Sequence, residues 1–218
     1  MKGLTFGDKH TYRDFGLKML LPFDGFSSPE VRTEYQEVPG RSGVLDLSEA
    51  LTGEPIYKPR TFIAQFDLEE PNPIALKQKI SDIRNYLHGR TYKIVDDDEP
   101  EWYYQGRISM SFIQKNHRFY EVTLSSGNVH PYKFKNRSTV VPIEVLGEEQ
   151  EIVLLNSRKT VIPEIACTGE ITVANNDITR TLGEGVHLVP DFVLTEGENF
   201  FVISGSGTIT FSYREGSL

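Results

Sequence analysis

Trp102-Tyr-Tyr-Gln-Gly-Arg-Ile-Ser-Met-Ser-Phe112 decides the architecture. Its even positions carry Trp, Tyr, Gly, Ile, Met and Phe; its odd positions carry Tyr, Gln, Arg, Ser and Ser. A period of two sends successive side chains to opposite faces of a strand, so one face of this stretch belongs in a core. Phe62, Ala64, Phe66 and Leu68 repeat the pattern, as do Tyr120, Val122 and Leu124. Val31, Thr33 and Tyr35 face one way and Arg32, Glu34 and Gln36 the other. The first part of the chain therefore reads as antiparallel sheet.

One segment has a different period. Leu76, Ile80, Ile83 and Leu87 recur at helical spacing and form a single apolar stripe. Asn72 supplies an N-cap, Pro73 suits the first helical position, and Gly89 supplies a left-handed stop. The spacing predicts one helix over 73–88, packed on the sheet, with His88 as a terminal residue compatible with the helix dipole.

A boundary falls near 134–138, after which no helical period recurs. Two domains follow: 1–134, a β-rich domain with the helix, and 135–218, a β-sandwich. Strands are expected over 140–146, 151–155, 164–173, 178–182, 192–194, 200–203 and 208–214. Asn175-Asn176, Gly183-Glu-Gly185, Glu196-Gly197 and Gly205-Ser-Gly207 read as the turns between them. Seven short strands with this punctuation imply a sandwich.

With 218 residues the chain can bury roughly 70% of its unfolded surface and needs no covalent staples. No apolar run approaches the 18 or so residues of a membrane span, and charges interrupt the region after Met1 where a signal peptide would lie. These features point to a soluble protein of an intracellular space without membrane insertion. The single cysteine, Cys167, excludes an internal disulfide and a four-thiolate zinc site, and its apolar surroundings make it a small buried hydrophobe. The net charge of −8, with no compensating basic cluster, disfavours sequence-specific DNA binding.

No catalytic signature is present: G-x-S-x-G, Walker A, H-E-x-x-H and EF-hand patterns are all missing. His10, His88, His117, His130 and His187 are too dispersed for the close ligand pair typical of zinc. No enzyme, metal or cofactor is expected. Asp96-Asp97-Asp98-Glu99 is the sharpest charge run; it offers oxygen ligands for a hard cation, but its place before Pro100 favours a solvated loop. Trp102, Tyr103 and Tyr104 could stack on a sugar, although parity leaves only Tyr103 outward and assigns the others to the core.

Several motifs, taken in order, resemble the distal tail proteins of long non-contractile-tailed phages (siphophages). Asp14-Phe-Gly-Leu17 resembles the family's opening strand, and Val38-Pro-Gly-Arg-Ser-Gly-Val-Leu-Asp-Leu47 its most distinctive loop. Pro100-Glu-Trp-Tyr-Tyr-Gln-Gly-Arg107 resembles the start of the strand after the acidic loop. Pro131-Tyr-Lys133 resembles the end of the first domain, and Phe211-Ser-Tyr-Arg-Glu-Gly-Ser-Leu218 the closing strand.

The resemblance implies a belt domain that assembles with five copies of itself into a hexameric ring, possibly stacked ring on ring, and a C-terminal galectin-like or jelly-roll sandwich. Such a ring is a tail-tip hub between the tail tube and the tail-tip or tail-associated lysin protein. Receptor-binding proteins can attach at its edge, and DNA only passes through it. It resides in the virion tail tip and in the host cytoplasm during assembly. Six copies at −8 each carry −48, a charge that would discourage DNA from adhering if part of it lined the lumen. Arg41 and Asp46, in the Pro-Gly-Arg loop, are candidate interface residues that could equally pair with each other to fix the loop. Asp96, Asp97, Asp98 and Glu99 are candidates for lumen or rim. The alternative function is a carbohydrate-binding attachment module acting through the C-terminal sandwich.

Overall fold

A computed structural model describes residues 2–23 and 25–218. The protein is mainly β with one helix, and it divides into two compact units, Met1–Pro131 and Tyr132–Leu218.

The first unit contains β1 (Leu4–Phe6), β2 (Lys9–His10), β3 (Lys18–Met19), β4 (Tyr35–Glu37), β5 (Val44–Asp46) and β6 (Arg60–Glu69). Helix α1 (Pro73–Leu87), β7 (Thr91–Asp96), β8 (Trp102–Arg107), β9 (Ser109–Asn116) and β10 (Phe119–Val129) complete it. Its main sheet runs β2-β1-β7-β8-β10-β6-β3, with β9 also paired to β10, and the named pairs are antiparallel. Strand β6 alternates strictly, with Arg60, Phe62, Ala64, Phe66 and Leu68 buried, and β10 contributes Tyr120, Val122 and Leu124 to the same core.

The helix packs its stripe of Leu76, Ile80, Ile83 and Leu87 into that core. Asn72 Oδ1 accepts the backbone N–H of Ile74 at 2.9 Å, which satisfies a donor the first turn cannot use. The helix stops one residue earlier than the spacing suggests: His88 is already extended, and Gly89 turns at φ 77°. His88 Nδ1 then accepts the Met110 N–H at 3.0 Å, so this histidine caps the joint.

The stretch from Trp102 to Phe112 divides into two strands at Ile108. That residue bonds to the chain leaving the helix, giving N–H to Arg90 and accepting from Gly89, so β8 stays with β7 while β9 swings onto β10. Parity holds for buried Tyr104, Ile108 and Met110, but Tyr103 corrects it. Tyr103 is not outward: it is only 5% exposed, and the Lys93 ammonium lies 4.7 Å from its ring. Parity tells which side a residue takes and not what covers that side.

The second unit comprises β11 (Lys133–Lys135), β12 (Thr139–Leu146), β13 (Gln150–Asn156), β14 (Glu164–Cys167) and β15 (Ile171–Asn175). It continues with β16 (Ile178–Leu182), β17 (Gly185–Leu188), β18 (Gly197–Tyr213) and β19 (Gly216–Ser217). Gly205-Ser-Gly207 is not the expected hairpin turn. Strand β18 runs straight through it for 17 residues, pairing β13 and β15 before the glycines and β12 and β14 after them. The glycines form a corner where one strand changes sheets. Gly205 has φ 123°, and a Cβ there would lie 2.4 Å from the Glu170 carbonyl oxygen. The chain expected as one strand over 164–173 breaks at the same corner, between β14 and β15, because Gly169 passes Ser206 just as closely.

Around the corner, the inward faces of the two sheet halves share a core that includes Val145, Leu154, Ile165, Ile171, Phe201, Ile203, Ile209 and Phe211. Cys167 lies within it, 4% exposed, and burial pushes its thiol pKa up. Phe192–Leu194 does not form a strand; Leu194 makes only an isolated bridge with Val161, and both Phe192 and Leu194 fill the core.

Candidate interaction surfaces

Between Ser27 and Arg60 the chain leaves the sheet as an arm in which no residue is buried. Its stalk is antiparallel: Ser27 N–H bonds to Thr61 O, Lys58 N–H to Glu30 O, and Arg32 N–H to Ile56 O. Its outer part is the three-residue hairpin of β4 and β5, whose tip turns at Gly40 and Gly43, both at φ 83°. Pro39-Gly40 and Ser42-Gly43 thus each supply the glycine that a tight reversal needs. Val31, Tyr35, Val38, Val44, Leu51 and Ile56 all remain exposed, and Leu51 is fully exposed. A two-stranded hairpin is marginal alone in water, and apolar side chains gathered on an extension mark a contact surface.

The root of the arm is firm. Arg60, 6% exposed, donates through Nε to Pro131 O at 2.6 Å and through Nη1 to Ser27 O at 3.1 Å. Its guanidinium carbon lies 5.6 Å from the Tyr104 ring centre, while Phe26 stacks on the same tyrosine at 3.7 Å. Burial pushes the Arg60 pKa down, and among the described residues its Nη2 has no hydrogen-bond partner. The arrangement fixes where the arm leaves the sheet.

Arg41 and Asp46 both lie on the arm but do not pair. The Arg41 N–H closes the tip turn onto Val38 O, and its side chain is exposed. Asp46 Oδ1 instead accepts Ser48 Oγ at 2.5 Å and the Ser48 N–H at 2.9 Å, and these bonds hold its carboxyl below the usual carboxylate range. Asp46 thus organises β5 locally, and the Arg41 guanidinium is left for other contacts.

The acidic run occupies the β7–β8 turn, where Glu99 lies close enough to the root of the arm to act on the charge of Arg60. It fastens the N-terminal segment. Asp98 Oδ2 accepts Lys2 Nζ at 2.5 Å, and Asp96 Oδ1 is 3.8 Å from the same ammonium. Asp97 Oδ2 accepts the Gly3 N–H and faces His10 Nε2, each at 3.0 Å. Burial pushes the Asp96 pKa up, while the bond to Asp98 raises the Lys2 pKa.

His10 is the hidden member of this cluster. It is 3% exposed, and its Nδ1 accepts the N–H groups of Tyr12 and Arg13, both at 3.1 Å. With Nδ1 accepting twice, the neutral ring carries its proton on Nε2 and donates it to Asp97. The solvated-loop reading of 96–99 is therefore incomplete: these carboxylates have partners roughly ninety residues upstream in the chain, a separation at which sequence gives no signal. Among the described residues no group of three or more His, Cys, Asp and Glu side chains is placed to hold a metal ion. No helix among them is long and apolar enough to cross a membrane.

Sequence reading also missed a buried carboxylate in the second unit. Glu215, 8% exposed, accepts Lys135 Nζ at 2.6 Å and Thr139 Oγ1 at 2.7 Å on one oxygen, and Ser157 Oγ at 2.7 Å on the other. It joins the end of the chain to the beginning of its own unit.

Residues 10–126 match the family model described as the phage tail protein RIFT-related domain. The fold is similar over nearly its whole length to the crystal structure of the Dit protein of phage SPP1, described as a paradigm of the hub adsorption apparatus in phages that infect Gram-positive hosts. The TM-score is 0.69, with 13% sequence identity, 98% of this chain covered and 99% of that one. A comparison with curated protein sequences finds no match.

Proposed function

This chain belongs to the RIFT-related phage tail protein family, and from that premise we propose that six copies close into a ring at the tail tip. In this reading the ring joins the tail tube to the tail-tip or lysin protein, gives receptor-binding proteins a place to attach, and lets DNA pass through its centre. The role is structural, with no covalent chemistry.

The observation that carries the proposal is the arm. Its six apolar side chains all remain exposed in the single chain, yet its root is anchored by a buried arginine. A firmly rooted extension with an unburied apolar surface suits a head-to-tail contact, and such contacts close into rings when the rotation allows. Arg41, at the tip, is then a contact to the neighbouring copy, and Asp46 shapes the strand that delivers it. Asp96, Asp97, Asp98 and Glu99 keep a proposed place at lumen or rim, where Asp97, Asp98 and Glu99 are exposed while the run fastens the N-terminal segment.

Light scattering and electron microscopy of the purified protein test this. The expected result is a particle of six times the chain mass with an open centre. Replacing residues 30–58 by a short glycine-serine linker should leave a folded monomer, and Arg41→Ala should weaken the ring without changing the fold. Folded single copies of the unaltered chain at every concentration would overturn the reading. So would a basic inner wall in an imaged ring, for the proposal that lumen charge repels DNA.

A further inference from the structure

The outer face of the sheet formed by β13, the first half of β18 and β15 bears an open cleft. Phe201 and Ile203 point into the core, so Glu198, Phe200 and Val202 point out. Phe200 is 61% exposed, and no other phenylalanine among the described residues is so open to solvent. Val153 stands opposite it on β13, while Glu151 and Ala174 flank Val202 from the two neighbouring strands.

Beside the ring lies an open cleft of about 390 Å³, lined by Glu151, Ala174, Asn176, Phe200, Phe201 and Val202. The hairpin turn that carries Asn176 is fixed to the aromatic strand. Asn175 Nδ2 donates to Phe200 O at 2.8 Å, and Asn176, at φ 52°, donates its own amide to Asn175 Oδ1 at 3.2 Å. One aromatic face, one carboxylate and one amide are thus held around a cleft within the size range of about 300–1,000 Å³ typical of small-molecule sites.

We propose that this cleft binds a neutral saccharide. A pyranose presents a C–H face and a rim of hydroxyls. The electron-rich face of Phe200 attracts the first, and Val153 extends the apolar floor beneath it. Glu151 accepts hydroxyl protons in charge-assisted bonds, and the Asn176 amide both accepts and donates. No lysine or arginine lines the cleft, and Glu151 and Glu198 share its face, so sugars bearing phosphate or carboxylate are repelled. The open shape gives weak binding per site, with a dissociation constant of about 1 mM. In a ring the sites would act together on a glycan-covered surface; binding at one site does not depend on the ring.

Saturation-transfer NMR and calorimetry on the full-length protein test the site, with light scattering on the same samples. The probes are neutral oligosaccharides of glucose, galactose and N-acetylglucosamine, each beside a uronic acid or phosphate-bearing counterpart. The expected result is binding of one or more neutral sugars and none of the charged ones. Phe200→Ala should lower affinity about tenfold or more, and Glu151→Gln several-fold, with particle mass unchanged. Three results would overturn the proposal: no binding at concentrations up to about 20 mM, equal binding by Phe200→Ala, or preference for the charged sugars. Loss of another tail protein's binding in Phe200→Ala, with no sugar bound by the unaltered chain, would instead make this face a protein-docking surface. A change in particle mass alone bears on the ring and not on the cleft.

Discussion

Replacing Glu215 by alanine should remove a buried polar fastening of the second unit. The carboxylate is 8% exposed and receives three hydrogen bonds of 2.6–2.7 Å, from Lys135, Thr139 and Ser157. Bonds to charged groups contribute about 1.5–3 kcal/mol each, and breaking a buried ion pair by removing one partner costs about 3–5 kcal/mol. The Lys135 side chain is 36% exposed, so water recovers part of that loss. A net destabilisation of about 2–4 kcal/mol follows, equivalent to a fall in Tm of roughly 10–25 °C for a unit of this size. Glu215→Gln keeps the shape and an acceptor, and should cost about 1–2 kcal/mol.

The acid dependence gives the test its sign. Burial pushes the Glu215 pKa up, but the bonds from Lys135, Thr139 and Ser157 and the charge of Lys135 outweigh it and hold the carboxyl below its ordinary value. The contribution is therefore complete above the unfolded-state pKa of about 4.3 and is lost as pH falls through the lower native value. Urea unfolding followed by far-ultraviolet circular dichroism, at neutral pH and in steps down to about pH 3, measures both effects. A Glu215→Ala loss below about 1 kcal/mol would refute the reasoning. So would a gap between wild type and Glu215→Gln that fails to narrow in acid.

Three other perturbations follow. Gly205→Ala places a methyl 2.4 Å from the Glu170 carbonyl oxygen at φ 123°, and should cost about 2–4 kcal/mol in urea unfolding, more than Gly207→Ala, whose nearest contact is 3.1 Å. His10→Ala leaves the Tyr12 and Arg13 N–H groups and Asp97 without the ring, for a loss of about 2–3 kcal/mol; amide exchange at residues 12 and 13 should accelerate more than at the helix. Tyr86, with its pKa raised to about 12 by burial and by its bond to Asp8, should ionise last in an ultraviolet titration. That late step should vanish in Tyr86→Phe, and the stability this phenol contributes, complete below pH about 10, should be lost as pH rises toward 12.

Local signals were readable where the physics is local. The helix announces itself because Leu76, Ile80, Ile83 and Leu87 share one face and Asn72 caps it from three residues away or fewer. Strands β6 and β10 do so because their alternation is matched by a single buried side. Gly205-Ser-Gly207 was misleading because glycine reports backbone freedom and not its use. A hairpin and a sheet-changing corner need the same residue, and the choice lies with Glu170, thirty-five positions earlier. The acidic run hid its role for the same reason, since Lys2, Gly3 and His10 are close only after folding.

The arm is the instructive case, because it carries the alternation without the burial. Alternation at Val31, Thr33 and Tyr35 promises a buried face, as it does in β6, yet Val31 is 45% and Tyr35 58% exposed. A period-two pattern fixes which side a residue takes, and the cover of an apolar side can come from outside a single copy. Within a single copy the arm has a fixed root, a shaped tip and an exposed apolar side. Burial against a neighbouring copy would reconcile the pattern with the exposure, and it would make the arm's apolar side chains, more than its charges, the main source of ring stability. Leu51→Ser and Val44→Ser should then lower the ring's assembly at a given concentration while leaving the monomer's unfolding unchanged, whereas a pattern that meant nothing would leave both unchanged.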